Sequence, residues 1–209
     1  QIPSDVKARI DSLSLNPFGS QEPPVAVAPN ILIQMADLVE RGAADRENRE
    51  FGLLLFGKEG AVTDFVGGFS GGPTSVDIRT QETAHVVQDR MSRGYEFMGY
   101  FHNHPSSEEI RQTGRPLEIG DLEVSWNDRK SYYVAHGEDT LAEDDAEYPF
   151  RWRGPVAALH PLEFIGGKLP DGKVSIGAHR MTLYREGDTP TTFYMADPVP
   201  IAIQKPSEG

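Results

Sequence analysis

GYFHNHPSSEEI, residues 99–110, sets an apolar and aromatic run directly against two histidines one residue apart, followed by a proline. Read as the end of a strand over 97–103, the run alternates its side chains between two faces. His102 and His104 then project from the same face, one pleat apart. Two imidazoles so placed can serve one ion, and they can equally be ordinary strand-end histidines. What the rest of the chain brings to them decides between the two.

Working outward, FGLLLFG (51–57) has the length and apolarity of a buried strand. A meander follows through AVTDFVGG (61–68) and TSVDIRT (74–80), broken by the glycine-rich GGFSGGP. Residues 82–93 read as a helix with Ala84, Val87 and Met91 on one side. Upstream, VAVAP (25–29) is a short strand, and Asn30 stands as N-cap of ILIQMADLVERGA, where Ile31, Met35, Leu38 and Val39 keep helical spacing. Residues 1–24 read as an N-terminal arm that packs late or not at all.

Downstream of the histidines, 105–116 is a polar loop and 117–130 a short helix. SYYVAHG (131–137) is a strand, and the acidic 138–149 a surface loop. Three apolar stretches remain: PVAALHP (155–161), KVSIGAHRMTLY (173–184) and TTFYMADPVPIAI (191–203). Prolines in the last favour a sheet edge. Helices alternating with strands predict an α/β fold, a mixed β-sheet flanked by helices.

Composition narrows the chemistry. The chain has 209 residues and no cysteine, which excludes disulfides, thiolate metal sites and a cysteine nucleophile. Any metal must therefore be held by His, Asp or Glu. The formal charge of −12 repels nucleic acid and anionic membranes. No apolar run approaches transmembrane length, and no signal-peptide pattern is present, so the expectation is a cytoplasmic protein.

A hydrolytic zinc site uses about three protein ligands and keeps one position for water, whose pKa falls to roughly 7. A nearby carboxylate then takes the proton. Besides the histidines, Asp121 follows His104 by 17 residues, at the start of the expected helix. Glu50 stands at the entry of FGLLLFG, where a carboxylate can sit at the rim of a sheet. Alone, each reads as readily as a helix cap or a strand-end charge.

Together these stretches resemble a known family. GYFHNHP is similar, position by position, to the Gly-Trp-Tyr-His-Ser-His-Pro signature of the JAMM (MPN+) metalloproteases. That family's full pattern is a Glu before Gly-Leu-Leu-x-Gly, then His-x-His-Pro, then Ser-x-x-Asp. EFGLLLFG supplies Glu50. GKVSIGAHR (172–180) resembles the Gly-Lys-Val-x-x-Gly-Ala-Phe-Arg stretch of signalosome-type members, and PVAALHP resembles their Val-Ala-Val-Val-Ile-Asp-Pro strand. The resemblance covers residues 25–186 and leaves 187–209 as a β-rich C-terminal extension.

The resemblance implies a JAMM-like sandwich and a zinc-dependent peptidase. Such an enzyme cuts isopeptide or peptide bonds after the C-terminal tail of ubiquitin or a ubiquitin-like protein. It implies His102, His104 and Asp121 as zinc ligands and Glu50 as general base. The substrate tail would add as a strand beside the site.

Three departures from the pattern leave alternatives open. The family's serine, which helps stabilise the oxyanion, is Glu118 here, and a carboxylate there opposes the developing charge; Ser106, Ser107 or Thr113 could substitute. The loop after His104 is longer than the family's, and Ser125-Trp126-Asn127-Asp128 also fits Ser-x-x-Asp. Asp121 is preferred because Asp128 stands only three residues before the strand expected at 131. The inner glycine of the 51–57 strand is shifted by one, which makes Glu47 a distant rival to Glu50. Because of Glu118, a non-catalytic MPN-type module that binds a ubiquitin-like protein or another partner is the main alternative. A zinc hydrolase of a small amide is a third. His85, His136, His160 and His179 read as packed or surface histidines.

Overall fold

Alternation in the strands and the apolar stripe of one long helix dictate most of the architecture. In the computed structural model, residues 1–72, 81–105, 112–125, 128, 161–185 and 192–206 are described. The elements run α1 (Ser4–Asp11), β1 (Ser14–Leu15), β2 (Val25–Val27), α2 (Pro29–Ala44), β3 (Phe51–Lys58), β4 (Ala61–Ser70), α3 (Gln81–Ser92) and β5 (Glu96–Asn103). A 3-10 turn (Ile119–Leu122), β6 (Leu162–Lys168), β7 (Val174–Arg185), β8 (Thr192–Val199) and β9 (Ile201–Ile203) complete the chain.

The strands form one mixed sheet in the order β1-β7-β6-β5-β3-β4-β2-β9, with β8 also on β7. β3 is antiparallel to both β4 and β5, whereas β5 and β6 run parallel. A parallel pair needs a crossover between its strands. The α/β expectation holds: among the described residues, a mixed sheet with three helices.

A β-bulge decides which way the histidines face. Leu55 pairs with Gly99 but Phe56 pairs with Phe97, so Met98 is an extra residue in β5. Phe97 and Tyr100, three apart, therefore join the same core layer. Gly99 sits at φ +139, and a Cβ there would lie 1.9 Å from the Leu162 carbonyl oxygen. Only glycine allows that approach of β6. Without the bulge, every later side chain of β5, His102 included, would turn to the other face.

One face carries Leu53, Leu55, Phe101, Phe164 and Ile176 against Ile31, Leu32, Met35 and Val39 of α2. The other carries Leu54, Phe56, Tyr100, Ile165 and Met181 against Val87 of α3 and against Leu117, Leu122 and Val124. The stripe expected for α2 is thus the buried one, except for the partly buried Leu38. Its start differs: Ala28 is the N-cap and Pro29 takes the first turn, ahead of Asn30. Proline's preset φ and missing N–H cost nothing there, so the helix begins earlier than an asparagine cap suggests.

Both termini pack more closely than the sequence suggests. Ile10 of α1 is buried, and β1 adds in parallel to β7. The Asn16 amide donates to the Ile201 carbonyl at 3.0 Å and accepts the Ile201 N–H. The arm packs because the C-terminal strands give it partners that the local sequence does not advertise. β8 runs along β7, and β9 along β2.

Two expectations change. LEFIGGK is a strand, β6, although one glutamate and two glycines break its pattern. A signal for it existed in LPDGK: Gly172 at φ +83 donates to the Leu169 carbonyl at 2.9 Å and closes a β6–β7 hairpin. The helix expected over 117–130 is a 3-10 turn that ends at Leu122, with Glu123 already extended; Asp128 has helical backbone again. The strands expected at 74–80 and 131–137, the loop at 138–149, PVAALHP as far as His160, His136, Ser106 and Ser107 lie outside the described residues. Among the described residues, no helix is long and apolar enough to cross a membrane.

Candidate metal centre

The site grows from the register of β3 on β5. Gly52 lies opposite His102, and carrying the antiparallel pairing two residues further puts Glu50 opposite His104 on the same face. Asn103 points the other way. Its Oδ1 accepts the Phe51 N–H at 2.6 Å, tying the entry of β3 to the end of β5. Gly42 of α2 makes the room, since a Cβ there would lie 2.1 Å from the Asn103 Nδ2. The Glu50 backbone is pinned too: its N–H donates to Gly72 and its carbonyl accepts from Gly71, both at 2.9 Å.

His102 Nε2 and His104 Nε2 lie 2.9 Å apart. Asp128 Oδ1 stands 3.3 Å from the first and Oδ2 3.5 Å from the second. Ligands bound at zinc-like distances in a tetrahedron are separated by about 3.3 Å, so this triangle has the dimensions of one face of such a site. His102, His104 and Asp128 could together hold a metal ion. At that distance the two ring nitrogens need a proton or a cation between them, since two bare lone pairs repel.

The rear of each ring is held. His104 Nδ1 lies 2.6 Å from the Asp121 main-chain oxygen, and a carbonyl can only accept, so Nδ1 carries the proton. His102 Nδ1 lies 2.7 Å from Glu163 Oε1, at ion-pair distance. Both Nε2 lone pairs are thereby presented to the centre.

The Asp121 carboxylate, expected as the third ligand, is engaged elsewhere. Arg115 grips its carboxylate at both oxygens, each at 3.0 Å, and the Glu118 N–H donates to it at 2.8 Å. Chiefly through Arg115, that carboxyl is held below its ordinary range. Asp121 contributes its main chain, and Asp128 contributes the carboxylate. Ser125 and Asp128 exchange reciprocal bonds: Ser125 N–H to Oδ2 at 2.9 Å and Asp128 N–H to Oγ at 3.2 Å. Glu118 begins the 3-10 turn with its carboxylate exposed, 3.7 Å from Arg115. Glu47 is 73% exposed on its side chain and pairs with Arg49 at 3.6 Å, so it turns away. Thr113 is exposed and accepts the Arg115 N–H.

Electrostatics favour positive charge at the centre. Burial raises the Glu50 carboxyl, partly offset by the two histidines. Burial also works against charge on Asp128, yet His102 and His104 outweigh it and hold that carboxyl well below its usual range. His102 is buried likewise, but Asp128 and Glu163 push it well above the ordinary histidine value. Two buried carboxylates, Glu50 and Glu163, and the partly buried Asp128 surround two imidazoles, a donor set that suits a cation.

Glu163 is the residue that sequence reasoning missed. It is fully buried on β6, and its signal was a lone charge inside the apolar LEFIGG. His179, opposite Glu163 in the β6–β7 register, packs its ring 5.3 Å from that of Phe18. Burial lowers its pKa, in keeping with a packed histidine. His85 is exposed on α3. A cleft of about 350 Å³ opens beside His104, lined in part by Val39, Ala43, Pro105, Leu117, Leu169 and Pro170.

No protein-family model and no curated protein matches the chain. Fold and site define a mixed α/β protein with a buried His-His-Asp group able to hold a metal ion.

Proposed function

We propose that this chain is a zinc-dependent peptidase of the JAMM (MPN+) type that removes ubiquitin or a ubiquitin-like protein from conjugates or precursors. The observation that carries the reading is the convergence of His102 Nε2, His104 Nε2 and the Asp128 carboxylate beside buried Glu50. Glu50 and the two histidines stand at the ends of the two strands whose sequences resemble the family. With Asp128 as ligand, Ser125-x-x-Asp128 supplies the serine that had been missing, and the departure at Glu118 no longer bears on the chemistry. The binding-module alternative, which rested on Glu118, predicts partner binding that Glu50→Gln leaves unchanged.

Imidazole and carboxylate donors without thiolate suit zinc among the available divalent ions. Zinc bound there supplies a Lewis acid and a water that loses its proton near neutral pH. Glu50 would be the base that accepts a proton from the attacking water and returns it to the leaving amine nitrogen. Burial raises the Glu50 carboxyl, the direction that makes a carboxylate a better proton acceptor. Ser125 accepts the Asp128 N–H and so keeps its own hydroxyl proton to donate to the scissile carbonyl oxygen. The cleft beside His104 gives an extended chain a place to lay a side chain against the site.

The test pairs zinc content with cleavage of a ubiquitin-like fusion by wild type and Glu50→Gln. The expected result is one zinc in both proteins and a loss of at least about 10²-fold in cleavage for the variant. Undiminished cleavage by zinc-loaded Glu50→Gln, or a wild type that takes up no zinc, overturns the reading.

A further inference from the structure

We propose that Glu163 is a positioning residue of the metal centre, locking the His102 ring and supplying the second negative charge that a divalent ion needs. The inference rests on the metal-binding reading of His102, His104 and Asp128. Glu163 is fully buried in a strand whose neighbours Leu162, Phe164 and Ile165 are core residues. A carboxylate in such a layer costs several kcal/mol unless a partner offsets the lost hydration. The partner is His102 Nδ1, at 2.7 Å.

The reach is diagonal. In the parallel β5–β6 ladder Glu163 stands beside Tyr100, and His102 stands beside Ile165. The glutamate leans one pleat along the sheet to meet the ring, an orientation that serves the histidine rather than strand pairing. The two rings are also backed differently: His104 by a neutral carbonyl, His102 by a full negative charge.

Charge counting gives that difference a purpose. Two neutral imidazoles and Asp128 offset only one of the two charges on a divalent ion. Glu163 offsets the other through His102. Outer carboxylates of this kind fix ring orientation and raise ligand basicity, and their loss typically weakens metal affinity about 10–100-fold.

Glu163→Gln isolates the charge, since glutamine has the same size and can still accept from Nδ1. The experiment is zinc titration of the metal-free full chain against a chromophoric chelator, for wild type, Glu163→Gln and Ile165→Val. Ile165→Val removes packing one pleat away without touching His102. The expected result is a zinc Kd weakened about 10–100-fold in Glu163→Gln and unchanged in Ile165→Val. Equal affinity in wild type and Glu163→Gln overturns the role of Glu163 and leaves the metal site standing. A wild type that binds no zinc overturns the metal reading itself, and this role with it.

A second measurement needs no variant. In the zinc-loaded wild type, the His102 Nδ1 proton should give a downfield, slowly exchanging NMR signal that stays put through neutral pH. Its absence, or fast exchange with water, overturns the assignment.

Discussion

On the α2 side of the sheet, Leu53, Leu55, Phe101 and Phe164 meet Ile31, Leu32, Met35 and Val39 in an apolar layer, with the amide of Asn103 at its end. On the other side, Leu54, Tyr100, Ile165 and Met181 share their layer with His102, Glu163 and His179. Both layers come from alternate residues of the same strands. Phe101 and His102 are neighbours in sequence, as are Glu163 and Phe164, yet they belong to different layers. The strand period of two thus lets one short segment hold the fold with one residue and build a charged centre with the next. The bulge at Gly99 sets which residue does which.

If the two layers are separable, a substitution on one should leave the other intact. The largest effect expected is from Phe164→Ala, which should lower the unfolding free energy by about 3–5 kcal/mol in denaturant titrations. Its folded fraction should still bind metal with the wild-type Kd. A metal affinity that falls in step with stability would mean the layers act as one unit.

Next in size is the contrast between two aspartates in the charged layer. Asp128→Asn should weaken zinc binding by more than about 100-fold, beyond the loss typical of an outer partner. Asp121→Asn keeps the carbonyl that holds His104 and loses only the Arg115 pair. It should change stability by about 1 kcal/mol or less and leave the zinc Kd nearly unaltered. The reverse pattern in a chelator-competition assay would return Asp121 to the ligand set.

The smallest effect belongs to the link that delivers Glu50. Asp45, at the end of α2, accepts from the Arg49 guanidinium and the Arg49 N–H, and its pKa falls from 3.8 to about 2. A depressed carboxyl stabilises the fold above its unfolded pKa and loses that contribution as pH falls through the folded value. Acid unfolding should therefore begin slightly earlier for Asp45→Asn than for wild type. The two curves should merge below pH 2, and a gap that persists there would assign the effect to something other than this carboxyl.

Much of this was legible along the chain. FGLLLFG and the histidine strand are unbroken apolar runs, and the α2 stripe keeps helical spacing; local pattern suffices for such elements. His102, His104 and Glu50 follow from the same two strands, because alternation and register need only short stretches. β6 was not legible, since Glu163 and the Gly166-Gly167 pair interrupt its pattern and its burial comes from neighbours far off in sequence. The packing of the N-terminal arm was hidden for a similar reason: its partners lie near the other end of the chain.

By itself, then, the sequence determined an α/β chain, two histidines on one face of a strand and a carboxylate ready to oppose them. Those facts depend on short-range geometry, which residue order specifies. Only the tertiary structure decided that Asp128 and not Asp121 turns its carboxylate to the histidines, and that Glu163 stands behind His102. Both depend on distances between segments that meet only when the sheet is assembled. Arg115 wins the Asp121 carboxylate in that competition, and the Asp121 carbonyl and the Glu163 carboxylate each take a ring nitrogen from behind.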